Sequence, residues 1–421
     1  MNRFFFILIM VMLADQSLFS QKLAQALIPE SVGVSSDRLK RIDDNMNEWL
    51  NKQWLNGAVA MIIRNGKIVY YKSFGNKDTE TKSIMQKDDI FRIASQTKAI
   101  TSVAAMMLYE EGKFSLEDPV SKFIPAYAHE KVLDKFNPVD TTYTTVAAKR
   151  DITIRDLLTH TSGIGYAQIG SRESNAIYAK SKLAAGFFVD NDRLGDAMNR
   201  LAALPLMHQP GEKWTYGLNA DLLGDLVEVW SGMSLDQFFR TRIFEPLGMK
   251  DTYFTLPPDK GKRLVNVYRD SAGNFVRQRV VFGVDANFPL KSKTYFSGGA
   301  GLSSTAYDYA IFLQMLVNGG EYDGKRLLSR NTVRIMTMNQ IGDLSLTEDK
   351  FGLGFRVVTE NSSRLSPWQA GTFSWGGAFS TIFWADPKEK IVAVLYRQSW
   401  GSHDSEMEAK FRVLVYQALN D

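Results

Sequence analysis

The stretch "FRIASQTKAITSVAAMMLYEEGKF", residues 91 to 114, decides the fold. It opens like the end of a strand and turns within a few residues into a helix. Apolar residues recur at Ile100, Val103, Ala104, Met107 and Leu108, the rhythm of a helix face buried in a core. Gly112 follows, where a helix C-terminus commonly sits. Ser95 and Lys98 stand at the transition, three positions apart and therefore neighbours on a helix surface. A serine hydroxyl is a poor nucleophile until something takes its proton. Burial lowers a lysine pKa by disfavouring the charged form, which makes Lys98 a candidate base. The N–H groups at the helix mouth add a favourable field for an oxyanion. The plainer alternative is a serine cap beside a lysine that points to solvent.

Outward from this stretch the chain divides by pattern. Upstream, a helix is expected near 37–53. "AVAMIIRNGKIVYYKSFG" then places two apolar runs around Asn65-Gly66, the strongest short hairpin signal. The middle of the chain is helical. "TIRDLLTHTSGI" reads as a short helix closed by Gly163, "NDRLGDAMNRLAAL" as another, and "NADLLGDLVEVWSG" as one from Asn219 toward Gly232. "SLDQFFRTRIFEPLGM" opens on a serine cap at Ser234 and ends by Pro246. Strands return in "GLGFRVV", "GTFSWGGAFSTIFWAD" and "KIVAVLYRQ", followed by a closing helix from about Asp404. The expected fold is α/β. An antiparallel sheet flanked by helices is built from 27–90 and 290–421, with an all-helical subdomain, 91–289, inserted. The cleft between the two parts is the place to seek a site.

Composition narrows the chemistry. The 421 residues carry a net charge of only +4 and no dense Lys/Arg block, which gives a nucleic-acid partner little support. There is no cysteine, so a thiol nucleophile, a Cys-ligated metal and a disulfide are excluded. His129, His160, His208 and His403 lie far apart in sequence, without the close spacing of a zinc site, and neither metal nor cofactor is expected. The N-terminus "MNRFFFILIMVMLA" has one early positive charge and an apolar run from Phe4 to Ala14. That run is short for a bilayer span and fits the core of a signal peptide within 1–26, cut after Ser20 or after Ala26. Export to the periplasm or medium is the expectation, with an uncleaved membrane anchor as the alternative.

Three further stretches carry candidate residues. In "GEKWTYGLNADLLG", Tyr216 lies in a turn just before a helix, and its phenol can reach the cleft. A tyrosinate beside a lysine ammonium can serve as base, whereas the bland reading has Tyr216 packing a helix start. In "GTFSWGGAFSTIFWADP", Trp375-Gly376-Gly377 interrupts a strand-like run. Glycine there marks either close approach of a ligand or backbone, or a structural β-bulge. His160 invites a Ser-His-Asp reading, but no G-x-S-x-G elbow occurs and "LLTHTSG" reads as a helix end supporting its neighbours. "SGGAGLSSTAYDYA" does not fit a phosphate loop and reads as a turn before a helix capped by Ser304.

Together the pieces resemble the serine β-lactamase and penicillin-binding-protein superfamily. The nearest branch is the class C β-lactamase-related group that includes the family VIII carboxylesterases. The likeness runs through "FRIASQTKAIT", "ITIRDLLTHTSGI", "PGEKWTYGLNADLLG", "PLGMKDTYF", "SGGAGLSSTAYDYAIFLQMLVNGGEYDGKRLLS" and "WGGAFSTIFWADPKEKIVAVLYRQ". It implies Ser95 as acylated nucleophile, Lys98 as its proton partner and Tyr216 as second member of the acid/base pair. It also implies an oxyanion hole from the N–H groups of Ser95 and Ala378. Trp375-Gly376-Gly377 falls where lactamases have Lys-Thr-Gly and would bind substrate. Leu218 stands where lactamases use an amide, with Asn219 as candidate substitute. Both departures point from β-lactams and peptide carboxylates toward neutral esters. The resemblance thus implies a secreted serine hydrolase acting on a small ester or amide. A weak β-lactamase or D-amino-acid peptidase, an acyltransferase, and a non-catalytic cell-wall-binding protein of the same fold are the rivals.

Overall fold

The structure, a computed structural model, describes residues 23–180, 192–271, 273–344 and 346–421. The segment read as an export signal therefore lies outside the described residues up to residue 22, and so does the cleavage point after Ser20.

Asn65 and Gly66 both have positive φ, 50° and 72°, the geometry a two-residue hairpin turn needs to match strand twist. They join Gly57–Arg64 to Lys67–Asp78. Gly57–Arg64 then pairs antiparallel with Ile391–Tyr396, so the two halves of the chain meet in one sheet. From that pair the sheet continues through Thr381–Asp386, Phe373–Gly377 and Arg356–Val357 to Lys350–Phe351. At the other edge Ala24–Gln25 lies parallel to Lys67–Asp78. The expected antiparallel sheet holds except at this edge.

All of Gly57–Arg64 is buried, because both faces of the sheet are covered. Val59, Met61 and Ile63 face a large core shared with Ile100 and Val103 of helix Thr97–Glu110. Ala58, Ala60 and Ile62 face Ile42, Met46 and Trp49 of helix Ser36–Asn51 and Phe411 of helix Asp404–Tyr416. Period-two alternation thus divides one strand between two cores.

The inserted region is not all-helical. Lys131–Phe136 and Tyr143–Ala147 form a hairpin, and Tyr268–Ser271 with Asn274–Arg277 pairs with Ser399–Trp400. "YTTVA" is rich in β-branched residues, which favour a strand over a helix interior. Helix ends also shift. Helix Ile154–Thr159 stops at His160, itself left-handed (φ 59°), three residues before Gly163. Thr305, not Ser304, caps helix Ala306–Val317 by accepting from the Asp308 N–H. The chain also runs on through Pro246, which lies in Glu245–Leu247 directly after the π-helical turn Arg240–Phe244.

Candidate active site

Strand Phe91–Arg92 pairs with Ser303–Ser304, and the chain then bends sharply. Ala94 takes a φ of 43°, a left-handed conformation that a residue with a Cβ rarely adopts. A short turn, Ala94–Gln96, leads into helix Thr97–Glu110. Within 91–108, Ser95 is the only residue that is not buried. The bend lifts one hydroxyl out of an otherwise closed core. It does not cap the helix, whose N-terminus has no side-chain cap.

That hydroxyl has two partners. Tyr216 Oη donates to Ser95 Oγ at 2.7 Å, and Lys98 Nζ lies 3.4 Å away. Lys98 spends its other donors on the Gly299 carbonyl at 2.7 Å and Tyr166 Oη at 3.1 Å. Its ammonium also lies 4.7 Å from the centre of the Tyr216 ring. Burial pulls the Lys98 ammonium toward deprotonation, but Tyr166, Tyr216 and buried Asp221 outweigh it and hold its pKa above the usual lysine value. The expected lowering is therefore reversed. Lys98 stays a fixed cation.

Glycines let these segments meet. A Cβ on Gly299 would overlap the Asp221 carboxylate and lie 3.5 Å from Lys98 Nζ. The "SGGAG" run, read as a simple turn, is the wall that supplies the acceptor for Lys98. A Cβ on Gly217 would overlap the Ile164 carbonyl, so the Tyr216 turn passes hard against the segment carrying Tyr166. Tyr166, Gly299 and Asp221 escaped the sequence reading. Asp221 is fully buried and accepts from Ser297 Oγ at 2.6 Å and Tyr295 Oη at 3.2 Å, and burial pushes its pKa up.

Trp375 lies on the strand flanking Ser95, its ring 5.7 Å from that of Tyr216 and 5.3 Å from that of Phe351. From Phe373 to Gly377 the ladder with Thr381–Asp386 is unbroken, so the glycines mark no bulge. A Cβ on Gly377 would overlap the Ile93 carbonyl, showing that the strand end packs directly on the turn that bears Ser95. Gly376 and Ala378 line a cavity of about 370 Å³ together with Ser95, Tyr216 and Trp375.

Asn219 is not in that cavity. It is fully buried, its amide donating to His160 Nδ1 at 2.9 Å and accepting from Ser162 Oγ. It opens helix Asn219–Ser231 from the inside, and both ends of its amide are occupied, so it does not replace the lactamase amide. His160 is likewise interior. Burial and the Lys98 charge hold its imidazole well below the usual 6.5, hence neutral. Its ring packs 5.1 Å from that of Tyr216, and its carbonyl accepts from the Thr215 N–H at 2.8 Å. His160 supports the Tyr216 turn rather than touching Ser95.

A part-exposed serine on a bend into a buried helix, a lysine one turn on and a tyrosine from the inserted region meet between sheet and insertion, a geometry suited to serine acyl transfer. The family model described as Beta-lactamase matches residues 39–418, and the chain belongs to that family. Protein Rv1367c of Mycobacterium tuberculosis is 35% identical over 80% of this chain and 84% of its own length. Esterase EstB of Burkholderia gladioli is 28% identical over 86% of this chain and 91% of its own. Among solved structures, EstCE1, described as a hydrolase with promiscuous acyltransferase activity, superposes with a TM-score of 0.78 at 25% identity. That match covers 90% of this chain and 99% of EstCE1.

Proposed function

We propose that this protein is a serine hydrolase that cleaves carboxylic esters through an acyl-enzyme on Ser95. The observation that carries the reading is the Ser95 hydroxyl held by Tyr216 and Lys98 at the floor of a cavity walled by Trp375. For Tyr216 to take the Ser95 proton, its own phenol proton must first pass to solvent, and the Lys98 cation beside the ring offsets the charge left behind. Ser95 Oγ attacks the ester carbonyl carbon while its proton passes to the Tyr216 oxygen. The backbone N–H groups of Ser95 and Ala378 are the donors assigned to the oxyanion. Tyr216 then protonates the departing alkoxide, and the alcohol leaves. Water repeats the sequence on the acyl-enzyme, and the acid departs. The names of EstB and EstCE1 support ester chemistry, and the EstCE1 title favours a second reading in which an alcohol replaces water as acceptor.

Trp375 sets the expected substrate class. An indole offers one N–H and an apolar face but no charge for the carboxylate of a β-lactam or peptide C-terminus. Losing a charge-assisted hydrogen bond removes about 1.5–3 kcal/mol, one to two powers of ten in affinity. In a panel of p-nitrophenyl esters, a chromogenic cephalosporin and a D-Ala-D-Ala peptide, short-chain esters should turn over far faster than the other two. Efficient cephalosporin or peptide cleavage with weaker ester activity would restore the lactamase or peptidase reading. Failure to label with a fluorophosphonate would favour a non-catalytic binding protein.

We also propose export, with cleavage after Ser20. The apolar run Phe4 to Ala14 motivates it. The choice between the two cut points follows from Ala24–Gln25 joining the sheet and the Leu23 N–H donating to Tyr322 Oη at 2.7 Å, since a cut after Ala26 would remove both. Mass spectrometry of exported protein should find Gln21 first. Membrane-bound material that keeps Met1 would make the segment an anchor.

A further inference from the structure

The cavity above Ser95 does not end at Trp375. Its lining also includes Ser374, Gly376, Trp368 and Arg356, with Glu408 and Arg412 of helix Asp404–Tyr416. The far end is chemically unlike the near one. The Arg412 guanidinium carbon sits 3.6 Å from the centre of the Trp368 ring, so one cationic plane is pinned flat on an indole. A guanidinium held by its face keeps its edge donors available for a planar acceptor.

Each neighbouring acid holds an arginine, although Asp349 Oδ1 has no partner among the described residues and Glu408 itself lines the cavity. Asp349 accepts from Arg356, while Asp404 and Glu408 each accept from Arg397 at 2.7 Å. Arg412 forms no salt bridge among the described residues, although Glu408 lies close enough to feel its charge. Two buried donors here, Arg412 Nε and Trp368 Nε1, have no acceptor among the described residues. The Arg356 charge also disfavours that of Arg412, which an anion between them would relieve.

We infer that this end of the cavity is an anion subsite, and that the preferred ester carries a carboxylate remote from its reacting carbonyl, seated on Arg412 beside Trp368. The inference rests on the ester-hydrolase reading and names the substrate class for it. It is compatible with the loss of charge at Trp375, because that residue lies at the near end, beside the acyl carbon.

The test compares carboxylate-ended and neutral esters of matched length. One arm places the acid on the acyl chain, as p-nitrophenyl hydrogen adipate and suberate against the corresponding methyl-capped diesters. The other places it on the alcohol, as an ω-carboxyalkyl butyrate followed by pH-stat against its methyl ester. In at least one arm kcat/KM should favour the acid by about tenfold, the scale of one charge-assisted contact. Arg412→Met should reduce that ratio toward one, and Arg412→Lys should recover part of it. Should Arg412→Met not fold, the wild-type ratio must still fall as salt rises, since it rests on an ion pair. Turnover with no acid preference in either arm, or a preference that Arg412→Met or salt leaves intact, overturns the inference alone. No turnover of any ester overturns the hydrolase reading and this inference with it.

Discussion

Ser95→Ala should abolish ester turnover, with kcat down on the order of 10⁴-fold or more, while leaving the folded protein nearly as stable. The expected stability follows from what the hydroxyl does. Its partners are Tyr216 Oη and Lys98 Nζ, and it caps no helix, so the usual cost of about 1 kcal/mol for a lost cap does not arise. Alanine also keeps the backbone of the turn, in which Ala94 at φ 43° holds the bend. Lys98 retains the Gly299 carbonyl and Tyr166, so no buried cation is stranded. The melting temperature should therefore stay within about 2 °C of wild type. The chemistry has no comparable substitute, because a methyl group cannot form the ester bond of an acyl-enzyme. Kinetics with p-nitrophenyl butyrate, a melt by circular dichroism and intact mass after fluorophosphonate treatment measure all three aspects. Full activity in a folded variant would remove Ser95 from the mechanism.

The parts of this site that the sequence reveals are those whose geometry is local. Ser95 and Lys98 are neighbours by helix spacing alone, and Asn65-Gly66 dictates its own turn. Tyr216 was legible only through resemblance, since nothing in "KWTYGLN" says which way its ring points. The same blindness misplaced Asn219, because the first residue of a helix faces either the cleft or the interior, and only packing on His160 and Ser162 decides it. The missed residues are non-local. Tyr166 and Gly299 reach Lys98 from 68 and 201 positions away. Their signals were weak: a tyrosine two residues beyond Gly163-Ile164, and a glycine run whose purpose is to admit Lys98 and Asp221. Without them, burial is the one influence on Lys98 that the sequence displays, and it acts opposite to the sum of the others. The inserted hairpin was lost for a related reason, as an exposed strand has no apolar alternation to announce it.

The reversed lysine gives the second large effect. With Lys98 held as a cation, the group left to take the Ser95 proton is Tyr216. Tyr216→Phe removes one oxygen and keeps the ring, which still packs between interior His160 and Trp375 of the cavity wall. Substrate should bind much as before, with KM within about threefold, while kcat falls on the order of 10²-fold or more, the usual worth of a positioned general base. A neutral lysine could replace it only by giving up a proton that Tyr166, Tyr216 and Asp221 hold in place, working against burial. Removing the Tyr216 oxygen weakens that hold, so any residual activity should rise with pH as Lys98 begins to lose its proton. Steady-state kcat and KM for wild type and Tyr216→Phe across pH 6 to about 10 separate the roles. A loss confined to KM, with kcat intact, would make Tyr216 a substrate-binding residue and return the base to Lys98.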